Sequence, residues 1–574
     1  MLRNIFSRNR FFTNKFFSKN IKMFCSNNES DALKYDVLIV GGGPAGLSSA
    51  IKLKQLNDNL NVCVVEKGAE IGSHILSGNV FETRALDELI ENWRDLDALG
   101  SEATEVSGDN FLYLHNNNKS LKVPNFLLPS VLNNHKNYII SLGGLTKWLA
   151  EYAENLGVEI YPGFAADNIL YKNDKMIGIK TSEMGINKDG SKKDTYMDGI
   201  EIHADYNILA EGARGSCSER IIKKYNLREN CDIQTYGLGL KEIWEIPEDK
   251  FKSGLVQHTF GWPLDNSTYG GSFLYHMKPN KVLLGFVVGL DYKNPYISPY
   301  KEFQRFKHHP DIKKHIEGGE CISYGARVIN EGGFQSIPKL SFPGGCLVGC
   351  SAGFVNVPKI KGTHTAMKSG MLAAESINEN LKNNKDELLD LDTRLKNSWI
   401  YSELKSVRNY GASFKYGNYF GIIYSAISGW ILKGKEPWTF CKSNNISDSD
   451  KTELAKNHKK IDYPQADNKI SFDILTNLQK SGTYHEDQPS HLKIKKDLLN
   501  IPNTLSILKY DGPEQRFCPA KVYEYNLNIE TGIKELNINS QNCIHCKCCS
   551  IKMPKEYIDW NVPEGGNGPS YNIM

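Results

Sequence analysis

Five cysteines near the C-terminal end of the sequence have the type and spacing that hold metal. Cys543-Ile-His-Cys546-Lys-Cys548-Cys549 contains a Cys-x2-Cys-x2-Cys run, and an isolated Arg516-Phe-Cys518-Pro519 lies upstream. Ferredoxin-type sites use three thiolates on a tight loop and a distant cysteine, often followed by proline, as the fourth ligand of a 4Fe-4S cubane. Cys518, Cys543, Cys546 and Cys549 are therefore the expected ligands of one cluster. The alternative set, all four local cysteines without Cys518, requires the adjacent Cys548 and Cys549 to aim both sulfurs at one compact cluster. Structural zinc is the competing reading, but zinc sites more often use two separated knuckles or histidine pairs. His545, inside the loop, suits a solvent-facing or supporting position better than a ligand position.

A second constellation lies near the other end. Gly41-Gly-Gly43-Pro44-Ala45-Gly46 follows the β-branched run Asp36–Val40, precedes the helical pattern Leu47–Leu56, and is followed 20 residues later by Glu66 at the end of Val62–Val65. A Gly-x-Gly-x-x-Gly turn between a strand and a helix brings backbone close to a pyrophosphate, and the helix N-terminus offers it free N–H groups. Glu66 would accept hydrogen bonds from the adenosine ribose. The sequence contains one such motif, so no second unit for NAD(P)H is expected and electrons must arrive by another route.

The elements that position these groups are legible in outline. Strand-like Val158–Tyr161 and Ile200–Ile208 frame a polar insertion, and residues 236–290 alternate aromatic and apolar positions with glycines, as in an antiparallel sheet that covers a cofactor or lines a cavity. Gly344–Gly349 reads as a buried strand and Thr363 to about Asn380 as a helix. Polar stretches at 380–396 and 443–468 bracket a helical segment, beyond which the cysteine-bearing region follows as a separate unit. Within the bracketed segment, Tyr419–Leu432 is 14 residues without a charge, flanked by Lys415, Lys433 and Lys435. It is too short to cross a bilayer and suits a monotopic anchor, with Val123–Val131 assisting.

Composition bounds the class. A chain of 574 residues with 40% hydrophobic and 24% charged residues exceeds one hydrophobic core. Residues 1–28 carry six basic side chains and no acid, which reads as a mitochondrial presequence spanning 1–30 and leaves the remainder slightly acidic. No other basic patch points to nucleic acid. Of 13 cysteines, nine are scattered singly, a distribution that fits a cluster in a reducing compartment better than disulfides.

Longer stretches carry a resemblance. Leu209-Ala-Glu211-Gly212-Ala-Arg-Gly215 is similar to the second nucleotide motif of the flavoprotein monooxygenase and reductase superfamily, and Gly349-Cys-Ser-Ala-Gly353 with Lys361-Gly362-Thr363 is similar to its third. That likeness favours FAD over NAD. Where the superfamily usually has an aspartate for the ribityl chain, this chain has Cys350. Gly261–Asp265, Asn330–Leu340, Val357–Thr365, Asp511–Ala520 and Val562–Gly566 extend the likeness, and from about Tyr35 onward the sequence resembles the electron transfer flavoprotein-ubiquinone oxidoreductase family. The resemblance implies a mixed α/β and α+β fold. A Rossmann-type FAD-binding domain would be interleaved with an antiparallel-sheet quinone-binding domain over 31–470, the substrate-side sheet at about 220–330, and a ferredoxin-like 4Fe-4S domain would occupy 471–574. It further implies reduced electron transfer flavoprotein and ubiquinone as partners, the matrix face of the mitochondrial inner membrane as location, and a quinone contact at Gly270 and Gly271. It agrees with Cys518 as the fourth cluster ligand. Two alternatives are a geranylgeranyl-reductase-like flavoprotein, which shares the flavin motifs but does not require the cluster, and a carrier that never reduces quinone.

Overall fold

The computed structural model describes residues 32–574 except 79, 384–387, 389, 442–444, 486, 531 and 572. The presequence expected over 1–30 lies outside the described residues.

An eight-stranded mixed sheet with a parallel centre forms the first layer. Leu33–Val40 lies at its centre, paired in parallel with Val62–Glu66 on one side and Glu201–Leu209 on the other, and Glu159–Pro162 and Gly345–Leu347 extend the two flanks. The β-branched runs seen in the sequence are the consequence of burial on both faces, since Val37–Val40 and Val62–Val65 are almost wholly shielded. Helix Pro44–Leu56 packs against this layer and against helix Thr363–Asn383, so the glycine turn and the start of the later helix meet at one edge.

The second layer is a seven-stranded sheet in the order Glu320–Asn330, Tyr236–Glu245, Lys281–Gly289, Gly270–Met277, Leu255–Gly261, Gly108–Leu114 and Ser120–Val123. The alternating region at 236–290 supplies four of these strands and Glu320–Asn330 a fifth. The last two come from more than 100 residues upstream, and Gly108–Leu114 pairs in parallel with Leu255–Gly261. Side chains alternate between the two faces. One face sends Leu240, Trp244, Leu284 and Phe286 into an apolar core. The other carries Lys241, His258, Phe273, Tyr275 and Arg327, with glycines at 239, 271, 285 and 325 opening space among them.

The cysteine-bearing region closes the far side of that core. Phe517, Cys518, Cys543, Cys546 and Cys549 belong to the same buried cluster as Leu240, Trp244 and Phe286. The Val328 N–H donates to the Cys546 carbonyl at 3.0 Å and the Tyr324 hydroxyl donates to the Pro519 carbonyl at 2.8 Å. Fully buried Glu242 receives Lys307 through both oxygens at 2.9 Å and the Asn477 amide at 2.7 Å, which ties the region to the sheet by charge as well as packing.

Tyr419–Leu432 forms helix Asn418–Ile427 with a wider final turn over Ser428–Leu432. Of its residues only Gly421 and Ser428 are buried, whereas Ile423 and Ile431 are 61% and 73% exposed. The Val123–Val131 stretch lies alongside: the Trp430 indole N–H donates to the Leu127 carbonyl at 3.3 Å, and Phe126 is 71% exposed. Among the described residues no helix is long and apolar enough to cross a membrane.

Candidate functional site

At the glycine turn each position has its own task. Gly41 has φ +110° and an added Cβ would run into the Ala210 carbonyl, while one at Gly46 would run into the Gly41 carbonyl. Gly43 is different: no atom lies within 4 Å of the place its Cβ would take. That open space faces the uncapped N-terminus of helix Pro44–Leu56, which begins with proline and has no acid in its first turn. Its free N–H groups make an anion site. Glu66 holds the turn from the next strand, accepting from the Gly42 N–H at 3.0 Å and the Gly68 N–H at 2.8 Å.

Glu211 does something the sequence did not suggest. Its carboxylate accepts from the N–H groups of Cys217 and Ser218 at 3.2 and 2.6 Å and from the Ser218 hydroxyl at 2.7 Å, so it caps helix Ser216–Lys224. Gly212, Gly362 and Thr363 line the same cavity as Gly41, Gly43, Pro44 and Ala45. Gly349 stands behind it, with φ +59° and Ala45 only 2.9 Å from an added Cβ, while Cys350 faces the cavity.

This cavity, of about 880 Å³, runs from the glycine turn under the glycine-rich face of the second sheet to Tyr419, Ile422 and Ala426 of the exposed helix and to Leu127 beside it. Four cations that motif reading passed over enter its wall: Lys67, Lys241, Arg327 and Lys547. Burial lowers Lys67 to about 8, with the Arg327 charge adding to the effect, and burial alone lowers Lys241 to about 7. Lys241 donates to the Ser77 carbonyl at 2.6 Å. A pyrophosphate-bearing cofactor would relieve the crowding of positive charge, so turn, helix end and cations fit FAD.

Gly270 and Gly271 begin a strand in the cavity wall. An added Cβ at Gly270 would meet the Val287 carbonyl, and one at Gly271 would lie 2.8 Å from the Thr259 carbonyl. Glycine is thus demanded at both places by the sheet's own backbone, independently of any ligand.

The cysteine loop also fits its expected group. Cys518, Cys543, Cys546 and Cys549 are buried, and burial pushes each thiol up, Cys518 to about 12, with the neighbouring sulfurs adding to the effect in Cys518, Cys543 and Cys546. Thiolates gathered in such a place would be costly without a cation beside them, and a cationic iron core would supply it. The Val522 N–H points at the Cys518 sulfur at 3.5 Å. The buried Tyr523 hydroxyl faces the Cys549 sulfur, and Cys518 and Cys543 also bear on it. It is placed to donate to a sulfur of the cluster. The Cys548 thiol approaches the Phe517 carbonyl at 3.8 Å and lies near enough to Cys546 to bear on it as the other sulfurs do. His545 is fully buried, packed against His74, His485, His491 and Trp560, which fits the supporting position of the two expected and not the solvent-facing one. From the same loop Lys547 reaches over the Trp560 ring at 3.2 Å, and both residues line the cavity, so the cluster loop forms part of the flavin site's wall.

Fold and sites together define an oxidoreductase that joins an FAD crevice to a 4Fe-4S centre in one chain. Three family models match: the pyridine nucleotide-disulphide oxidoreductase family over 35–223, the ETF-QO ubiquinone-binding family over 236–329, and the electron transfer flavoprotein-ubiquinone oxidoreductase 4Fe-4S family over 468–572. Mitochondrial electron transfer flavoprotein-ubiquinone oxidoreductases from Arabidopsis thaliana and Sus scrofa are each 53% identical, covering 96% of this chain and 86% and 90% of their own. The chain belongs to the electron transfer flavoprotein-ubiquinone oxidoreductase family. Among solved structures, a geranylgeranyl bacteriochlorophyll reductase-like protein from Thermoplasma acidophilum has a TM-score of 0.50 at 18% identity, covering 70% of this chain and 90% of its own. At that identity the likeness concerns the fold alone.

Proposed function

We propose that the protein accepts electrons from reduced electron transfer flavoprotein and reduces ubiquinone to ubiquinol. One observation carries the reading: a single cavity joins the flavin glycine turn, the wall formed by the cluster loop, and an exposed apolar helix. When bound, the flavin supplies one- or two-electron chemistry and the cluster one-electron chemistry, which suits a junction between a one-electron donor and a two-electron acceptor. The chain's own part is to bind and orient. Gly41, Gly43, Pro44, Ala45 and Gly46 receive the pyrophosphate, Glu66 the ribose, and Gly212, Gly362 and Thr363 the remainder, with Glu211 and Gly349 setting the backbone. Cys518, Cys543, Cys546 and Cys549 hold the cluster.

Helix Asn418–Ile427 with its final turn and the Phe126–Leu127 loop lie in the membrane surface without crossing it, presenting the cavity mouth to the bilayer so that an apolar quinone tail enters directly. The exposed isoleucines and the flanking Lys433 and Lys435 support this. The basic, acid-free N-terminal stretch and the mitochondrial relatives support the matrix face of the inner membrane. NAD(P)H is not the electron donor in this reading, because the one nucleotide turn is taken by FAD. The decisive assay supplies reduced electron transfer flavoprotein and a soluble ubiquinone to the FAD- and cluster-loaded protein. Quinol formation that requires both, with NADH unable to replace the flavoprotein, is the expected outcome; quinol formation from NADH alone refutes the assignment.

A further inference from the structure

Ubiquinone reduction consumes two protons as well as two electrons, and the cavity wall contains a pair of side chains built to pass protons. His258 and Tyr275 stand on neighbouring antiparallel strands, Leu255–Gly261 and Gly270–Met277, on the cavity-facing side of the sheet. The His258 Nε2 and the Tyr275 hydroxyl are 2.8 Å apart, with His258 5% and Tyr275 2% exposed. Phe273, the partner of His258, and Tyr275 lie two and four residues beyond Gly271 on the same face of that strand, so the pair stands further along the wall that Gly271 begins. Phe273 stacks on the Tyr275 ring at 4.9 Å and Phe111 flanks His258 at 6.2 Å, so aromatic faces shield the hydrogen bond.

We propose that Tyr275 is the catalytic acid for the quinone oxygen that faces it, and that His258 positions and reprotonates it. The proposal rests on the reading that quinone occupies the cavity face of the 236–329 sheet. In the competent tautomer His258 Nε2–H donates to the Tyr275 oxygen, whose own O–H donates to the quinone. As electrons reach the quinone from the flavin, the Tyr275 O–H bond breaks and a new O–H bond forms on the quinone oxygen. The Nε2 proton moves to the tyrosine oxygen, and His258 Nδ1 takes a proton from water. The imidazole thus stays neutral but ends as the Nδ1–H tautomer, and proton exchange with solvent restores Nε2–H before the next turnover. The opposite quinone oxygen takes its proton from water at the cavity mouth, which completes two electrons and two protons. Burial, with the nearby Lys361 charge, lowers His258 to about 3, consistent with a neutral shuttle, and burial with the Asp109 charge raises the phenol. Asp109 is itself bound by the Asn134 amide at 2.8 Å, and Lys361 donates to the Asn134 oxygen at 2.5 Å. These two groups, from the neighbouring strand and the segment before Thr363, are the charges that bear on the pair.

The test uses the FAD- and cluster-loaded protein with Tyr275→Phe, His258→Gln and His258→Phe. Reduction of the protein by reduced electron transfer flavoprotein is expected to stay at the wild-type rate in all three. Re-oxidation by a soluble ubiquinone is expected to fall roughly 100-fold in Tyr275→Phe and His258→Phe. His258→Gln, which keeps a hydrogen bond to the phenol but cannot relay, is expected to fall comparably, whereas a purely structural histidine would be rescued by it. Ferricyanide, which takes electrons without protons, re-oxidises every variant normally, and the solvent deuterium isotope effect on quinone re-oxidation changes in the variants. Wild-type quinone re-oxidation with an unchanged isotope effect in Tyr275→Phe overturns the proton assignment. A photoreactive ubiquinone tests the underlying reading separately. Labelling within 236–329 supports it, and labelling confined elsewhere overturns the site and the proposal with it.

Discussion

The three glycines of the nucleotide turn should separate into two kinds when mutated, and Gly43→Val is the informative change. Gly43 has φ −84° and ψ −179°, extended values open to valine, and nothing lies within 4 Å of its added Cβ. The expected loss of stability in the flavin-free protein is that of a poorer helix cap, about 0.5–1 kcal/mol. The isopropyl group then occupies the space the pyrophosphate needs, so the variant should purify folded and colourless. Gly41→Ala is the contrast. Its φ of +110° disfavours any side chain, and its Cβ would stand within 3.0 Å of the Ala210 backbone, closer than real Cβ atoms come. Left-handed strain of 1–2 kcal/mol and overpacking of 1–3 kcal/mol add to roughly 2–5 kcal/mol, enough to compromise the fold before any cofactor binds. Flavin-to-protein absorbance ratios and thermal melting by circular dichroism, with and without added FAD, measure both effects. FAD at 100 times its Kd should stabilise the wild type by about 2.7 kcal/mol and leave Gly43→Val unmoved. Full flavin content in Gly43→Val refutes the reasoning, as does a flavin-free Gly43→Val that melts as low as Gly41→Ala.

Cys518→Ala, Cys543→Ala, Cys546→Ala and Cys549→Ala should each abolish the EPR signal of the reduced cluster, whereas Cys548→Ser, whose thiol faces the Phe517 carbonyl, should keep it. Replacing Ile423 and Ile431 with serine, together with Phe126→Ser, should reduce flotation with liposomes while leaving flavin content intact; unchanged flotation removes the helix from the membrane surface. Glu403 joins helix Trp399–Ser406 to the segment before Thr363, accepting from His364 and Asn356 at 2.8 Å each and from Lys359 at 3.5 Å. Burial alone would raise its carboxyl, but these partners outweigh burial and hold it at about 2. Its contribution, on the order of 2–3 kcal/mol, is therefore complete above the unfolded value near 4.5 and lost as pH falls toward 2. Urea midpoints should drop over that window in the wild type and less steeply in Glu403→Gln.

The parts of the site visible in the sequence are those whose geometry is local. A strand, turn and helix are contiguous, so Gly41–Gly46 and Glu66 could be placed by spacing, and Cys543–Cys549 folds as one loop. The uncharged Tyr419–Leu432 helix was visible for the same reason. What escaped depends on which way a residue faces in a sheet assembled from distant segments. Lys241 and Arg327 look like ordinary strand cations until the register sets them beside glycines on the cavity side. Gly108–Leu114 joins that sheet from far upstream, and no local signal announces a parallel partner. Which of its two expected positions His545 takes was not legible either, because its burial is supplied by His74, His485 and Trp560 from other segments. Glu211 sits in a motif suggestive of nucleotide contact and lines the cavity, but that its oxygens also cap the helix that follows was not legible.

The shared core beneath the second sheet sets an order of assembly. Cys518, Cys543, Cys546 and Cys549 lie in the same packed interior as Trp244 and Phe286, and the loop carrying three of them is hydrogen-bonded to the sheet's edge strand. Docking leaves these four cysteines only 6–7% exposed, so iron and sulfide reach them far more readily while the C-terminal region is still undocked. Once docked, the same packing guards the cubane from oxidants and chelators. Biogenesis and durability are therefore two aspects of one interface, and a substitution that loosens it should show first as poor metal loading in cells and only later as a slower enzyme.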